Sequence, residues 1–186
     1  MRTISFAMLT FAILLANAFA GQAELTDKLK SGGHILMIRH ALAPGGGDPP
    51  NFKIGDCSTQ RNLNETGREQ SRAIGKWLRN RGIQTARIYS SQWCRCLETA
   101  NLLGLGPVKE LPALNSFFER PQDRGPNLEA LRQFMQDLPP DGALVILVTH
   151  FVTISAITGE SVSSGEAVLI DVDHPDRAIG RLNFTN

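Results

Sequence analysis

Short apolar runs along the chain predict buried β-strands. Residues 35–38 and 143–149 form the two most apolar runs, and both are too short for helices. Gly32 and Gly33 bound the first of these runs. Further strand candidates are residues 86–90, 108–111, 167–170 and 181–184. The chain therefore contains several strands that are expected to form one sheet.

Between these strands, apolar residues recur every three or four positions, which predicts amphipathic helices. The candidates are residues 24–30, a helix that Thr66 caps and Gly82 ends, and residues 93–103, 127–138 and 152–158. Thr66 and Glu69 have the spacing of a capping box, and Asn127 is a typical N-cap residue. Strands that alternate with helices indicate an α/β fold: a three-layer α/β/α sandwich with a mainly parallel central sheet.

Residues 41–62, which follow the first strand, have the composition of a long loop. They include the run Pro44-Gly45-Gly46-Gly47-Asp48-Pro49-Pro50. A loop of this length within a compact domain is usually functional or disordered. Because the loop begins directly after His40, we expect it to cover a site at that strand end. A surface insertion without a role is the alternative.

The first 20 residues predict a cleavable signal peptide. Arg2 precedes a mostly apolar stretch over residues 4–16, and Ala18-Phe19-Ala20 has the small residues of a cleavage site. The stretch is shorter than the roughly 20 residues that span a membrane. We expect cleavage after Ala20, export to the periplasm or the medium, and a single domain over residues 21–186. An uncleaved N-terminal anchor is the alternative.

Charge argues against some classes of partner. The chain has 19 basic and 18 acidic residues, a formal net charge of +1. Loss of the signal peptide, with one basic residue and no acid, would leave a neutral chain. There is no basic stripe, so nucleic acids and anionic membranes are poor candidates. The sequence gives no indication of the oligomeric state.

Three cysteines in an exported chain allow one disulfide and leave one thiol. Cys57 lies in the long loop, whereas Cys94 and Cys96 flank Arg95. A bridge from Cys57 to either of the other two would tie the loop to the helix that carries Arg95. Spacing does not choose between them. A metal site is the competing interpretation, but a lone C-x-C pair lacks the ligand spacing of a zinc motif.

Two histidines and two arginines follow the predicted strands. Arg39 and His40 end the first strand, Arg95 comes shortly after the strand over residues 86–90, and His150 follows the last central strand. Ligands of open α/β sheets bind outside the carboxyl ends of the strands. Neutral imidazole can accept a phosphoryl group, and cations stabilise its oxygens. The sequence therefore predicts a phosphate site at this edge.

Four segments resemble the histidine phosphatase superfamily, which includes phosphoglycerate mutases and acid phosphatases. In family order they are Arg39-His40, residues 63–70, residues 90–100 and Val148-Thr149-His150. The resemblance extends to about residue 158 and implies a phosphoglycerate mutase-like fold. Ala41 departs from the glycine that usually follows the Arg-His pair.

The resemblance also implies roles for individual residues. His40 would be the nucleophile, and a phosphohistidine on it would be hydrolysed by water without a metal or other cofactor. The phosphate pocket would be formed by three further side chains: Arg39, Arg95 and His150. Similar family members also suggest that Cys57 pairs with Cys94.

The acid that protonates the leaving group is the least defined part of this site. Many relatives carry a glutamate after the strand that corresponds to residues 108–111, but residues 114–116 lack one. Relatives with an aspartate after the second histidine offer no guide, because Phe151 stands there. Glu119 is the candidate proton donor, and a surface salt bridge with Arg120 or Arg124 is its alternative role.

Three other polar residues have less specific interpretations. Arg61 lies between the long loop and the following helix, where it either contacts substrate or makes a structural salt bridge. His34 and His174 are expected on the surface.

The resemblance favours an exported phosphomonoesterase that acts on a small phosphorylated substrate. Short exported members of the family point to a phosphorylated sugar. A phosphoglycerate mutase-like phosphotransferase is one alternative, which export disfavours because glycolytic substrates are cytoplasmic. A protein that binds phosphate or a phosphorylated ligand without turnover is the other.

Overall fold

The computed structural model describes residues 24–184, and the predicted signal peptide lies outside the described residues. Residues 24–31 are helical and form α1. The following elements are β1 (His34–Arg39), α2 (Glu65–Asn80), β2 (Arg87–Ser90), α3 (Cys94–Leu103), β3 (Val108–Glu110), α4 (Arg124–Gln136), β4 (Val145–Thr149), α5 (Phe151–Thr158), β5 (Ala167–Asp171) and β6 (Ala178–Leu182). Short 3-10 turns occupy Cys57–Thr59, Pro112–Leu114 and Pro121–Asp123. Within the described range, no helix combines the length and apolar character needed to cross a membrane.

The strands found in residues 24–184 form one six-stranded sheet in the order β3-β2-β4-β1-β5-β6. Strand β1 pairs in parallel with β4, and Arg39 lies opposite Thr149. Strand β2 is parallel to both β3 and β4. Strand β5 is antiparallel to each of its neighbours, β1 and β6. The carboxyl ends of β1, β2 and β4 consequently lie at one edge of the sheet.

Alternate side chains of the central strands enter two apolar layers. In β1, Leu36 and Ile38 pack with residues of α2 and α3, whereas Ile35 and Met37 pack with residues of α4 and α5. All four are fully buried, and burial of one such side chain contributes roughly 1.5–3 kcal/mol. The predicted three-layer α/β/α sandwich with a mainly parallel centre is confirmed.

A close contact between α2 and α3 fixes the helix that carries Arg95. Gly75 in α2 faces the last turn of α3, and a Cβ atom there would lie 2.0 Å from the carbonyl oxygen of Leu103. Only glycine permits this approach. The C-terminal end of α3 is thereby held close against α2.

Two predicted helix starts are wrong. Asn64, not Thr66, is the N-cap of α2, and its side-chain oxygen accepts a hydrogen bond from the backbone N–H of Gly67 at 2.9 Å. Helix α4 begins at Arg124, so Asn127 lies inside its first turns and does not cap it. The amide of Asn127 instead donates to the carbonyl oxygen of Asn115 at 3.4 Å.

Two further predictions need correction. His34 is only 9% exposed, because it is the first residue of β1 and pairs with Asp171 in the sheet. The last strand begins at Ala178 and ends at Leu182, earlier than the predicted residues 181–184. His174 is exposed, as predicted.

Candidate active site

The two predicted histidines lie side by side at the carboxyl ends of the two central strands, β1 and β4. The backbone N–H of His40 donates to the carbonyl oxygen of Thr149 at 2.9 Å, which continues the parallel pairing of β1 and β4. The two imidazole rings are edge to face, with centroids 5.5 Å apart. Both residues are almost completely buried. The strand ends therefore bring together residues that are far apart in the sequence.

His40 is held in a single tautomer. Its Nδ1 lies 2.8 Å from the carbonyl oxygen of Ala41. A carbonyl oxygen only accepts, so Nδ1 carries the hydrogen and Nε2 keeps its lone pair. Burial, aided by the charges of Arg95 and Arg39, lowers the pKa of His40 to about 3, although the hydrogen bond to Ala41 acts in the opposite direction. The ring is thus neutral at pH 7.

Ala41 fits the position where the family usually has glycine. Its backbone N–H donates to Oγ1 of Thr99 at 3.0 Å. Its side chain is fully buried in a small cluster with Ala43 and Leu63. The methyl group is therefore accommodated, and the carbonyl group that orients His40 is held in place.

The two predicted arginines flank the histidines, and each is anchored at one end. Nη1 of Arg39 donates to the carbonyl oxygen of Val162 at 2.9 Å, and the guanidinium group lies 5.4 Å from the ring centroid of Phe151. Arg95, in the first turn of α3, donates from Nη1 and Nη2 to the carboxylate of Asp48 at 2.8 and 3.0 Å. Among the described residues, the buried Nε atoms of both arginines have no hydrogen-bond acceptor. Both side chains therefore still have donors for an oxyanion.

A chain of hydrogen bonds fixes the orientation of His150. Its Nε2 lies 3.0 Å from Oγ of Ser91, and Ser91 donates to Oδ1 of Asn115 at 3.1 Å. The same oxygen accepts from the backbone N–H of Gln92 at 2.9 Å, which identifies it as the amide oxygen. Because the Ser91 hydroxyl donates its hydrogen to Asn115, the hydrogen between Ser91 and His150 belongs to Nε2 of His150. Burial, with the neighbouring His40 and Arg95, lowers the pKa of His150 well below its usual value.

Asp48 is a site residue that the sequence analysis did not identify. Its carboxylate is 6% exposed and accepts hydrogen bonds from Arg95, from Nε1 of Trp93 at 2.9 Å and from the backbone N–H of Arg61 at 3.0 Å. Burial acts to raise the pKa of Asp48, but these hydrogen bonds, with those from Arg95 foremost, hold it below the usual value. The sequence offered no local signal beyond the position of Asp48 in the long loop.

Glu119, the predicted proton donor, lies at the same pocket and is exposed. Its two carboxylate oxygens accept from the backbone N–H of Asp48 at 3.3 and 3.1 Å. Gly47, which lies against Oε1 of Glu119, adopts φ +67°, a backbone conformation that favours glycine. Arg120 pairs with Asp123 rather than with Glu119.

Arg61 lines the pocket and holds the loop. Its Nε donates to the carbonyl oxygen of Gly47 at 2.7 Å, and its Nη1 donates to that of Ala43. The carbonyl oxygen of Arg61 accepts from Nη1 of Arg95 at 3.2 Å. The guanidinium group thus bonds to loop carbonyls in place of the salt bridge considered from the sequence.

The structure pairs Cys57 with Cys94, with their Cα atoms 5.7 Å apart. Cys96 is a buried free thiol, and burial raises its pKa to about 12. The bridge ties the long loop to the first residue of α3. This is the pair that the resemblance implied and that spacing alone left open.

The long loop packs against α3 and is not a separate surface insertion. The ring of Phe52 stacks on Trp93 with centroids 4.8 Å apart. The side-chain oxygen of Gln60 accepts from the backbone N–H of Cys94 at 2.9 Å. Together with the contacts of Asp48, these bonds make the loop one wall of the pocket.

The resulting pocket has a volume of about 150 Å³ and is lined by His40, His150, Arg39, Arg61, Arg95, Asp48 and Glu119, among others. Three guanidinium groups and two imidazoles surround a space suited to one phosphoryl group. Within residues 24–184, no set of His, Cys, Asp or Glu side chains is arranged to hold a metal ion.

Comparison with known protein families finds a match over the part of the chain from β1 to Arg120. The model of the histidine phosphatase superfamily (branch 1) matches residues 35–120, from β1 past α3 to the segment that contains Glu119. The chain is therefore similar to the histidine phosphatase superfamily over 86 of its 186 residues.

Individual relatives cover different parts of the chain. The mitochondrial serine/threonine-protein phosphatase Pgam5 of Drosophila willistoni is 32% identical over 74 residues, which are 40% of this chain and 23% of that protein. The match thus spans about a quarter of the length of the curated relative.

Among solved structures, the SixA protein of Nakamurella multipartitia has a TM-score of 0.58 at 15% identity, covering 83% of this chain and 98% of that one. The protein histidine phosphatase SixA in complex with tungstate has a TM-score of 0.54 at 15% identity, covering 81% and 97%. At these identities the two structures share the fold with this chain.

Proposed function

We propose that this chain is a phosphomonoesterase that transfers the phosphoryl group of a small substrate to Nε2 of His40 and then to water. One observation carries the proposal. Nδ1 of His40 is hydrogen-bonded to the Ala41 carbonyl, while Nε2 has no hydrogen-bond partner among the described residues. The neutral ring therefore presents a lone pair in a pocket that three guanidinium groups also line.

In the first step, Arg39, Arg95 and His150 bind the three non-bridging phosphoryl oxygens. Charge on these oxygens is what the site must stabilise in phosphoryl transfer. The P–N bond to Nε2 of His40 forms while the P–O bond to the leaving group breaks. The substrate's negative charge favours protonation of His150, whose Nδ1–H then donates to one of the oxygens.

The leaving oxygen needs a proton, and Glu119 is our candidate donor. It is exposed at the mouth of the pocket, and Asp48 is its hydrogen-bond partner there. In the second step the ionised Glu119 would accept a proton from the attacking water, and the P–N bond would break to release inorganic phosphate and neutral His40. One carboxyl group would thus act first as acid and then as base.

The proposed substrate is a phosphorylated sugar outside the cytoplasm. Export is supported by the predicted signal peptide and by the disulfide between Cys57 and Cys94, since disulfides persist in oxidising compartments. Phe118 and Phe151 line the pocket, are 60% and 41% exposed, and have ring centroids 5.9 Å apart. Aromatic faces at the mouth of a phosphate pocket suit contact with the apolar face of a sugar.

Phosphate release by the exported protein tests the proposal. The enzyme would be assayed in the presence of EDTA with p-nitrophenyl phosphate, a panel of sugar phosphates and a protein that carries phosphohistidine. His40→Ala is the control. We expect phosphate release that EDTA leaves intact and that the substitution abolishes. Isomerised substrate without free phosphate would instead indicate a mutase, and phosphate binding without turnover would indicate a binding protein. Preference for the phosphoprotein would contradict the sugar assignment.

A further inference from the structure

We infer that Asp48 is a positioning residue, which turns the guanidinium group of Arg95 so that its Nε and Nη2 hydrogens point at the phosphoryl group. The inference rests on the proposed phosphate-binding role of Arg95. It assigns a role to the long loop that neither the family motifs nor the strand ends indicate.

The hydrogen bonds of Arg95 show which donors remain for a ligand. Both carboxylate oxygens of Asp48 accept from the end of the guanidinium group, one from Nη1 and one from Nη2. The second hydrogen of Nη1 goes to the carbonyl oxygen of Arg61. Nε and the other hydrogen of Nη2 remain, and in a planar guanidinium group these two point in the same direction. They form a side-on pair that matches two oxygens of a phosphoryl group.

Asp48 is itself fixed from several directions. Trp93 and the backbone of Arg61 donate to its carboxylate, and its own N–H donates to Glu119. The side chains of Asp48 and Arg95 are 6% and 4% exposed, so solvent does not compete for their contact. A guanidinium group without this partner could rotate about its flexible side chain, and it would carry an uncompensated buried charge.

A competing interpretation is that Asp48 occupies the phosphate site and inhibits binding. The geometry argues against it, because the carboxylate takes the Nη1–Nη2 edge and leaves the Nε–Nη2 edge to the ligand. The two interpretations predict opposite effects of removing the charge. A positioning residue strengthens phosphate binding, whereas a competing carboxylate weakens it.

The test is Asp48→Asn, which has the same shape and lacks one acceptor. In either orientation its amide nitrogen would face a donor of Arg95, together with the Nε1–H of Trp93 or the backbone N–H of Arg61. We expect two quantities to fall about a hundredfold: the affinity for inorganic phosphate, measured by calorimetry, and kcat/KM for p-nitrophenyl phosphate. A loss of this size is typical when a binding group is misplaced. In an Arg95→Ala background the same substitution should change phosphate binding by less than about twofold, because coupled residues are not additive.

Two further variants separate positioning from folding. Trp93→Phe keeps an aromatic ring against Phe52 but removes one donor to Asp48. We expect a smaller loss of phosphate binding, and this loss should also vanish in the Arg95→Ala background. Asp56→Asn alters an exposed aspartate of the same loop, whose partner is Ser58, and should leave phosphate binding unchanged. Thermal melting of each variant reports folding independently.

Three outcomes would overturn the inference: phosphate binding that is equal or tighter in Asp48→Asn, an equal loss with and without Arg95, or wild-type protein that does not bind phosphate. Phosphate binding requires no turnover. A protein that binds phosphate through Arg95 and Asp48 but hydrolyses no ester would therefore support the inference while contradicting the proposed function.

Discussion

The backbone N–H of His40 donates to the carbonyl oxygen of Thr149 at 2.9 Å, and this bond sets His40 and His150 side by side. It is the last rung of the parallel pairing between β1 and β4. The neighbouring position of the two imidazoles therefore follows from sheet register, and loop conformation is not needed to explain it. The other parts of the site are arranged around this pair.

Neutrality of the His40 ring is the first testable consequence. Burial lowers its pKa to about 3, and the Ala41 carbonyl holds the hydrogen on Nδ1. Nitrogen-15 spectra of the imidazoles should show a neutral ring with Nδ1–H throughout the pH range from 5 to 8. His174, which is exposed, provides an internal reference for a solvent-accessible ring. A His40 signal that titrates near 6.5 would contradict the described geometry.

The same burial should make the folded protein sensitive to acid. Between the ordinary pKa of 6.5 and about 3, the unfolded chain binds a proton at His40 that the folded chain does not. The contribution of His40 to the free energy of unfolding is therefore complete above pH 6.5. It declines by roughly 1.4 kcal/mol per pH unit as the pH falls towards 3. Urea unfolding at several pH values measures that slope. His40→Gln cannot titrate and should give a shallower slope; equal slopes would refute the prediction.

The role of Glu119 can be tested through the leaving group. Glu119→Gln should slow hydrolysis of an alkyl phosphate about a hundredfold, because the alkoxide needs a proton. p-Nitrophenolate leaves without protonation, so p-nitrophenyl phosphate should be affected by less than about threefold. The measurement is steady-state kcat/KM of Glu119→Gln and of wild type on both substrates. Equal losses on both would show that Glu119 acts on the loop, through its contact with Asp48, and not as the acid.

Reduction of the disulfide should loosen the loop that carries Asp48. Cys57→Ser opens a link between residues 37 positions apart, and loss of such a cross-link costs roughly 2–4 kcal/mol of stability. We expect a lower Tm and weaker phosphate binding, both reproduced when wild-type protein is reduced. Cys96→Ala is the matched control, since Cys96 takes no part in the bridge, and its response to reductant should equal that of wild type. A Tm unaffected by reduction would contradict the prediction.

The strand ends were predictable because they depend on simple patterns. Apolar runs located β1 and β4, and Arg39, His40 and His150 follow directly from where those runs stop. Arg95 was found in the same way, since it lies in the first turn of the next helix along the sheet edge. The strong resemblance of these segments to a known family added roles that the pattern alone could not assign.

The remaining site residues were not predictable because their positions depend on contacts between distant segments. Asp48 reaches Arg95 only after the long loop has folded back over α3. Ser91 and Asn115 orient His150 across the ends of two strands, and neither residue type is unusual at such positions. Asn127 shows the converse, since a favourable cap residue lies inside a helix that begins earlier, at Arg124.

The central claim is that phosphoryl transfer passes through Nε2 of His40, and trapping the intermediate tests it most directly. Enzyme in turnover with p-nitrophenyl phosphate would be quenched in alkali, which preserves phosphohistidine, then digested and analysed by mass spectrometry. We predict one phosphoryl group on the peptide that contains His40, lost on acid treatment and absent from His40→Ala. Continued hydrolysis by His40→Ala, or turnover without any phosphoryl group on that peptide, would contradict the mechanism.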